Sequence, residues 1–303
     1  MVILKFAYSI LLYVIAKCNK LFDNQRKLIV NKCHKYRKGI NALDFFHFTF
    51  YTLTLLVITG GIVGFLLALT GGGGSIVCVP LLLYMVKIPD THLVIGTSAM
   101  SVAISALINL FVHAAKGNVR WRTGVTVSLV AVVGTLAGSQ VGKMTDGHHL
   151  TLPFSLLMLV VAGLTLKKNH RAGNGLPSSH PTFHPAIVWP SVLALGAVAG
   201  FLGIGGGFLV VPALLWFFRF SLVEAVATSL VVVSAMGLST SASYAMSGKV
   251  SLVITCWLIV GGVLGGVVGV ALTERLKKRE DIIRVLYAGM LLALALYMLF
   301  KSL

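Results

Sequence analysis

Residues 71–80 read GGGGSIVCVP, and residues 203–212 read GIGGGFLVVP. Set one above the other, Gly71, Gly73, Gly74, Val79 and Pro80 fall on Gly203, Gly205, Gly206, Val211 and Pro212, at an offset of 132. The correspondence continues downstream at an offset of 131. There Thr97-Ser98 falls on Thr228-Ser229, and Gly117-Asn118-Val119 on Gly248-Lys249-Val250. Gly134 and Gly138 fall on Gly265 and Gly269. A glycine cluster, a Thr-Ser pair and a Gly-x-Val turn in one order at one spacing mark an internal duplication.

The solvent of these two units follows from composition. Of 303 residues, 57% are hydrophobic and 11% charged, and the mean hydropathy is +0.94. Soluble domains carry about 25% charged residues. A chain this apolar cannot cover a water-facing surface, so its surroundings are lipid. The net charge of +17 fits the Lys/Arg bias of cytoplasmic loops in membrane proteins. Nucleic-acid binding is disfavoured, because no basic stripe interleaved with aromatics lies outside the apolar stretches. The four cysteines, Cys18, Cys33, Cys78 and Cys256, form no C-x-x-C pair and suggest neither zinc nor a disulfide framework.

A membrane-spanning helix needs about 20 apolar residues. Segments 46–70, 93–115, 123–142, 150–167, 186–204, 222–246, 250–273 and 282–300 meet or approach that length. Two further pieces, 75–86 and 207–218, are too short as helices for a full crossing at about 1.5 Å per residue. The expected fold is therefore an all-α integral membrane protein of two related halves. Each half has about four spanning helices plus a short broken or re-entrant helix at its glycine motif. Residues 1–45 form a basic N-terminal segment, 46–167 the first repeat, 168–185 a linker and 186–303 the second repeat. The linker carries His170, His180 and His184, but without an acidic or cysteine partner a solvated loop is the preferred reading over a metal site.

Two topologies remain open. Re-entrant short pieces give four crossings per half and parallel halves, whereas fully crossing pieces give five crossings and inverted halves. The parallel version gathers 17–44, Lys116, Arg120, Arg122, the linker and Lys249 on one side, and the distribution of basic charge favours it.

The glycine clusters carry the chemistry. A run such as Gly71, Gly72, Gly73 and Gly74 breaks a helix, and freed backbone groups in hydrocarbon cost several kcal/mol each unless satisfied. Such a break is tolerated where it lines a cavity. The short helices beginning near Ser75 and Phe208 aim their N-termini at the breaks, which suits an anion. Interrupted helices at matching positions of duplicated halves point to a transport site. The candidate solute-binding set is Gly71, Gly72, Gly73, Gly74, Ser75, Gly203, Gly205, Gly206 and Gly207, with the hydroxyls of Thr97, Ser98, Thr228 and Ser229. The spaced glycines Gly134, Gly138 and Gly142, and Gly261, Gly262, Gly265, Gly266 and Gly269, read instead as helix packing. Hydroxyls deeper in the spans, such as Ser105 and Thr240, are more often local backbone partners. His113, near the end of its span, reads as interfacial rather than as a proton carrier. Neither a mid-span carboxylate nor a phosphate-loop motif is present, so proton relays, nucleotide hydrolysis and a membrane-embedded enzyme are disfavoured. No cofactor or catalytic group is expected, and the partners are a small anion and the bilayer. The Gly-x-x-x-Gly rows could equally serve a homodimer.

These residues resemble the TauE/SafE sulfite exporter family. The similarity rests on Gly203-Ile-Gly-Gly-Gly-Phe-Leu-Val-Val-Pro212, its counterpart at 71–80, the Thr-Ser pairs and the Gly-Asn-Val-Arg-Trp turn at 117–121, and spans roughly residues 55–300. The resemblance implies a multi-pass permease in the cell membrane that carries sulfite, organosulfonates or related sulfur-containing anions. Ser75 departs from the motif in the first half and leaves that backbone geometry open. A different class of function, a non-transporting scaffold that docks a partner or anionic lipid through the basic segment 17–44, stands as the alternative.

Overall fold

The structure is a computed structural model that describes residues 42–88, 90–145, 153, 155–160, 163, 185–203, 205–276, 289, 292–293, 295–297 and 299–300. Residues 1–41, the linker with its three histidines, and most of the spans expected at 150–167 and 282–300 lie outside the described residues. Among the described residues every regular element is helical. In chain order these are α1 (Ala42–Thr70), α2 (Gly73–Pro80), α3 (Thr91–Ala115), α4 (Trp121–Met144), α5 (Pro185–Leu202), α6 (Gly207–Phe218), α7 (Leu222–Ala245) and α8 (Leu252–Leu276). Among the described residues five stretches are long and apolar enough to cross a membrane: Tyr51–Thr70, Thr91–Ala115, Trp121–Met144, Val223–Ala245 and Leu252–Val270.

Local chemistry sets the helix ends. The Asp90 carboxylate caps α3, accepting from the N–H groups of His92 and Leu93 at 3.1 and 3.2 Å. Ser221 and Glu224 form a capping box at the start of α7. The helices end in the matched turns at Gly117 and Gly248, with φ of 70° and 68°. That left-handed conformation is the usual glycine stop. Pro80 lacks an N–H, and directly after it the ladder widens into a π-helical turn over Leu81–Met85.

Packing is organised around α3 and α7, the two most buried spans. They cross where a Cβ on Gly237 would lie 2.9 Å from the Ala103 Cβ. Around them α1 lies along α8, and α4 along α5. Gly60, Gly64, Gly261 and Gly265 press α1 and α8 together, main chain against main chain. Gly134, Gly138, Gly196 and Gly200 do the same for α4 and α5. The packing role expected of the spaced glycines holds in both seams.

The direction of the helices departs from the favoured expectation. Lys249, just beyond α7, pairs with Asp90 at the start of α3 at 2.7 Å, and the Ser251 N–H donates to Thr97 Oγ1 at 3.0 Å. At the other end Arg120, just beyond α3, pairs with Glu224 in the first turn of α7 at 2.6 Å. The Arg120 N–H also donates to Thr228 Oγ1 at 3.1 Å. Each helix therefore starts beside the other's end, and α3 and α7 run antiparallel. Helices with matching sequence point in opposite directions, so the parallel arrangement does not hold. Lys249 and Arg120 lie on opposite faces, called below the Asp90 face and the Arg120 face. A count of basic residues misled because both cations are matched by a carboxylate from the other half. α2 begins beside Val226 and Ser229, near the start of α7, and leads to Asp90 on the opposite face.

Candidate functional site

Each glycine break packs against the opposite half's Thr-Ser helix start. A Cβ on Gly71 would lie 2.7 Å from Ser229 Oγ and 2.8 Å from Val226 Cα. Gly203 faces Ile95 in the same way, its absent Cβ replaced by the Ile95 side chain. Positions 95 and 226 are again 131 apart. Val226 and Ser229 lie four and seven residues into α7, roughly 6–10 Å inward at 1.5 Å per residue. The breaks thus sit inside the bilayer depth, one toward each face.

From there the two short helices approach each other. A Cβ on Gly207 would lie 2.5 Å from Gly72 Cα, and one on Gly72 would land on the Gly207 main chain. The N-termini of α2 and α6 therefore meet backbone to backbone at the centre of the molecule. Every residue from Gly71 to Pro80 is buried, as are Gly203, Gly205, Gly206 and Gly207. The positive ends of two helix dipoles converge there, a place with a preference for negative charge. The N–H groups of Gly72 and Gly74 have no acceptor among the described residues.

The breaks differ in backbone. In the second, Gly203, Gly205 and Gly206 have φ of 67°, 69° and 71°, and in the first only Gly71 does, at 74°. Gly72 is extended, with φ of −175°. Ser75 therefore occupies an ordinary first helical turn, where its hydroxyl donates to the Gly72 carbonyl at 2.7 Å. The Gly73 N–H donates to Thr70 Oγ1 at 2.9 Å. In the second break the Leu209 and Val210 N–H groups donate to the Gly206 carbonyl at 3.1 and 3.2 Å.

Each of the sequence-selected hydroxyls has a backbone partner, and Ser229 is the one that reaches a break from the opposite half. Ser229 donates to the carbonyls of Gly71 at 2.9 Å and Val226 at 2.8 Å, tying α7 to the first break. Ser98 donates to the Ile95 carbonyl at 2.9 Å. Thr97 and Thr228 hold the turns that follow α7 and α3, as described above. These four residues position the breaks and the turns.

Sequence reading missed the two ion pairs that close the ends of the central helices. Their signal was present as matched placement, since Asp90 and Ser221 cap α3 and α7 at an offset of 131. Burial acts to raise the Asp90 pKa. The hydrogen bond from Lys249, with those from Leu93 and His92, outweighs it and holds the carboxyl below its usual value.

Comparison with known proteins bears on this arrangement. The family model described as sulfite exporter TauE/SafE matches residues 56–298. A probable membrane transporter protein of Xylella fastidiosa is 40% identical over 256 residues, covering 84% of this chain and 97% of the relative. The probable membrane transporter protein YunE of Bacillus subtilis is 25% identical, covering 75% of this chain and 91% of its own. A probable membrane transporter protein of Methanocaldococcus jannaschii is 26% identical, covering 82% and 95%. No solved structure matches the chain.

Proposed function

The chain belongs to the sulfite exporter TauE/SafE family of membrane transporters, and from that premise we propose that it carries small sulfur-containing anions by alternating access between two inverted halves. The observation that carries this reading is the meeting of Gly72 and Gly207. It brings two helix N-termini, one from each half, to a single buried point. A sulfite-like oxyanion accepts hydrogen bonds from main-chain N–H groups and is favoured by both dipoles. Closely packed glycines let these groups approach a solute as well as each other.

The duplication supports the mechanism. Exchange of the halves turns the α1–α8 seam into the α5–α4 seam, and the Thr97–Ser251 contact into the Thr228–Arg120 contact. Two such halves can adopt the same asymmetric opening toward either face, as inverted-repeat transporters do. The Asp90–Lys249 and Arg120–Glu224 pairs each bridge the halves at one face, so opening a face parts one pair while the other stays closed. The sequence holds no nucleotide-binding motif, and the energy then comes from a solute or ion gradient. The cell membrane is the corresponding location.

The test is uptake of radiolabelled sulfite by proteoliposomes, with thiosulfate, sulfate, taurine and acetate as competitors. Saturable uptake, blocked by one or more sulfur anions and not by acetate, is the expected result. Uptake of none of the sulfur compounds by folded, inserted protein sinks the substrate assignment.

A further inference from the structure

We infer that His113 and Tyr244 form a matched pair of waystations for a small oxyanion, one toward each face, between water and the Gly72–Gly207 centre. The inference rests on the transport reading above. Its basis is a coincidence of position and unmet hydrogen bonding. His113 and Tyr244 are 131 residues apart, the offset of the Thr-Ser pairs, and so occupy the same place near the ends of α3 and α7. Tyr244 is fully buried and its hydroxyl has no partner among the described residues. His113 is 7% exposed and neither ring nitrogen has one. Buried polar side chains are nearly always hydrogen-bonded. Two exceptions at equivalent positions point to a partner that comes and goes.

The surroundings of Tyr244 say what that partner is. His92 stacks on its ring at 6.1 Å, and His92 Nδ1 is also without a partner. Thr240, one turn earlier on the same helix, is fully buried with an unpartnered hydroxyl. The Lys143 ammonium reaches the carbonyl of the neighbouring Ser243 at 3.2 Å. The described carboxylate on this face, Asp90, is held by Lys249. A Cβ on Gly142 would lie 2.5 Å from the Phe201 carbonyl oxygen and 3.2 Å from Tyr244 Oη, so the absent side chain lets α4 and α5 close up beside the hydroxyl. Carbonyls at these helix ends are taken: Tyr244 O by the N–H groups of Ser247 and Lys249, His113 O by those of Lys116 and Asn118. The unpartnered hydroxyls of Tyr244 and Thr240 can both donate, and Lys143 adds positive charge at the same helix end, a combination that suits an oxyanion. Tyr244 also packs on Ile95, the side chain that faces Gly203. Ile95 therefore touches both the tyrosine and the second break.

Tyr244→Phe removes one oxygen and keeps the ring. Because that oxygen has no partner among the described residues, the variant should unfold in detergent at the wild-type temperature or above. Its KM for sulfite uptake should rise roughly three- to tenfold, the worth of one neutral hydrogen bond. His113→Leu should raise KM similarly, and His113→Gln, which keeps a donor, should recover most of the loss. Sulfite should raise the unfolding temperature of Tyr244→Phe less than that of the wild type. A wild type that carries sulfite while Tyr244→Phe keeps the wild-type KM and sulfite response overturns the waystations and leaves the transport reading intact. A wild type that neither binds nor carries sulfite, thiosulfate or sulfate overturns both.

Discussion

Replacing Gly207 with alanine sets two physical effects of opposite sign against each other. Gly207 is the first residue of α6 and does not need a left-handed backbone. Helix propensity alone therefore favours alanine, by up to about 1 kcal/mol. Contact opposes it, since the new Cβ would lie 2.5 Å from Gly72 Cα and 2.6 Å from Val233 Cγ2. Carbon atoms pack at about 3.5–4.0 Å, so the surroundings must retreat by about 1 Å. One neighbour is main chain and the other a β-branched side chain with little rotamer freedom. Overpacking of this kind costs about 1–3 kcal/mol, and we expect a net destabilisation of about 1–2 kcal/mol. The assay is denaturant unfolding in mixed micelles, paired with sulfite uptake by proteoliposomes of matched protein content. Gly163→Ala is the control, because nothing lies within 4 Å of its Cβ, and it should be neutral or slightly stabilised. A Gly207→Ala protein as stable as the control, with wild-type uptake, would refute the contact between the two breaks.

Three further outcomes follow from the same geometry. On the α1–α8 seam Gly60→Ala drives a methyl into the Leu258 main chain, whereas at Gly61 the nearest atom is 3.8 Å away. The first should lose about 1–3 kcal/mol and the second nothing, as read by unfolding of each single variant. Thr97→Val and Thr228→Val each leave the N–H of a turn, at Ser251 or Arg120, without its acceptor. Each should lower stability by about 1–3 kcal/mol and slow uptake, and a neutral result in both would remove the clamping role. Asp90→Asn keeps a capping side chain but removes the charge facing Lys249. Both partners are about 40% exposed on the side chain, so the loss should be below about 1 kcal/mol at pH 7. The folded Asp90 pKa is depressed, so its contribution is present above the ordinary carboxylate pKa and is lost as pH falls through the lower folded value. The stability gap between wild type and Asp90→Asn should therefore close below about pH 4, and a gap that widens on acidification contradicts the assignment.

The helices were legible because hydropathy and breakers are local. The expected 93–115, 123–142 and 207–218 became Thr91–Ala115, Trp121–Met144 and Gly207–Phe218, with no end moved by more than two residues. The breaks were legible for the same reason, as Gly71, Gly203, Gly205 and Gly206 adopt φ near +70°, a conformation that favours glycine. What the sequence hid is long-range. Ser229 reaches the Gly71 carbonyl across 158 residues, and nothing local to either residue marks the pair. Direction was also hidden, since Lys249 and Arg120 count as loop cations until their carboxylates are seen beside them. His113 read as an interfacial residue because its position near a span end was visible. Its burial and its match to Tyr244 were not.

The account depends most on matching turns lying on opposite faces of the membrane, for only then can one centre open alternately to each side. Lys116 and Ser247, both exposed and 131 residues apart, occupy those turns. Each is replaced by cysteine, one at a time, in a chain lacking its native cysteines, and intact cells or oriented vesicles are treated with a membrane-impermeant maleimide. The account predicts that one position is labelled from outside and the other only after the membrane is opened. Labelling of both from the same side would contradict it.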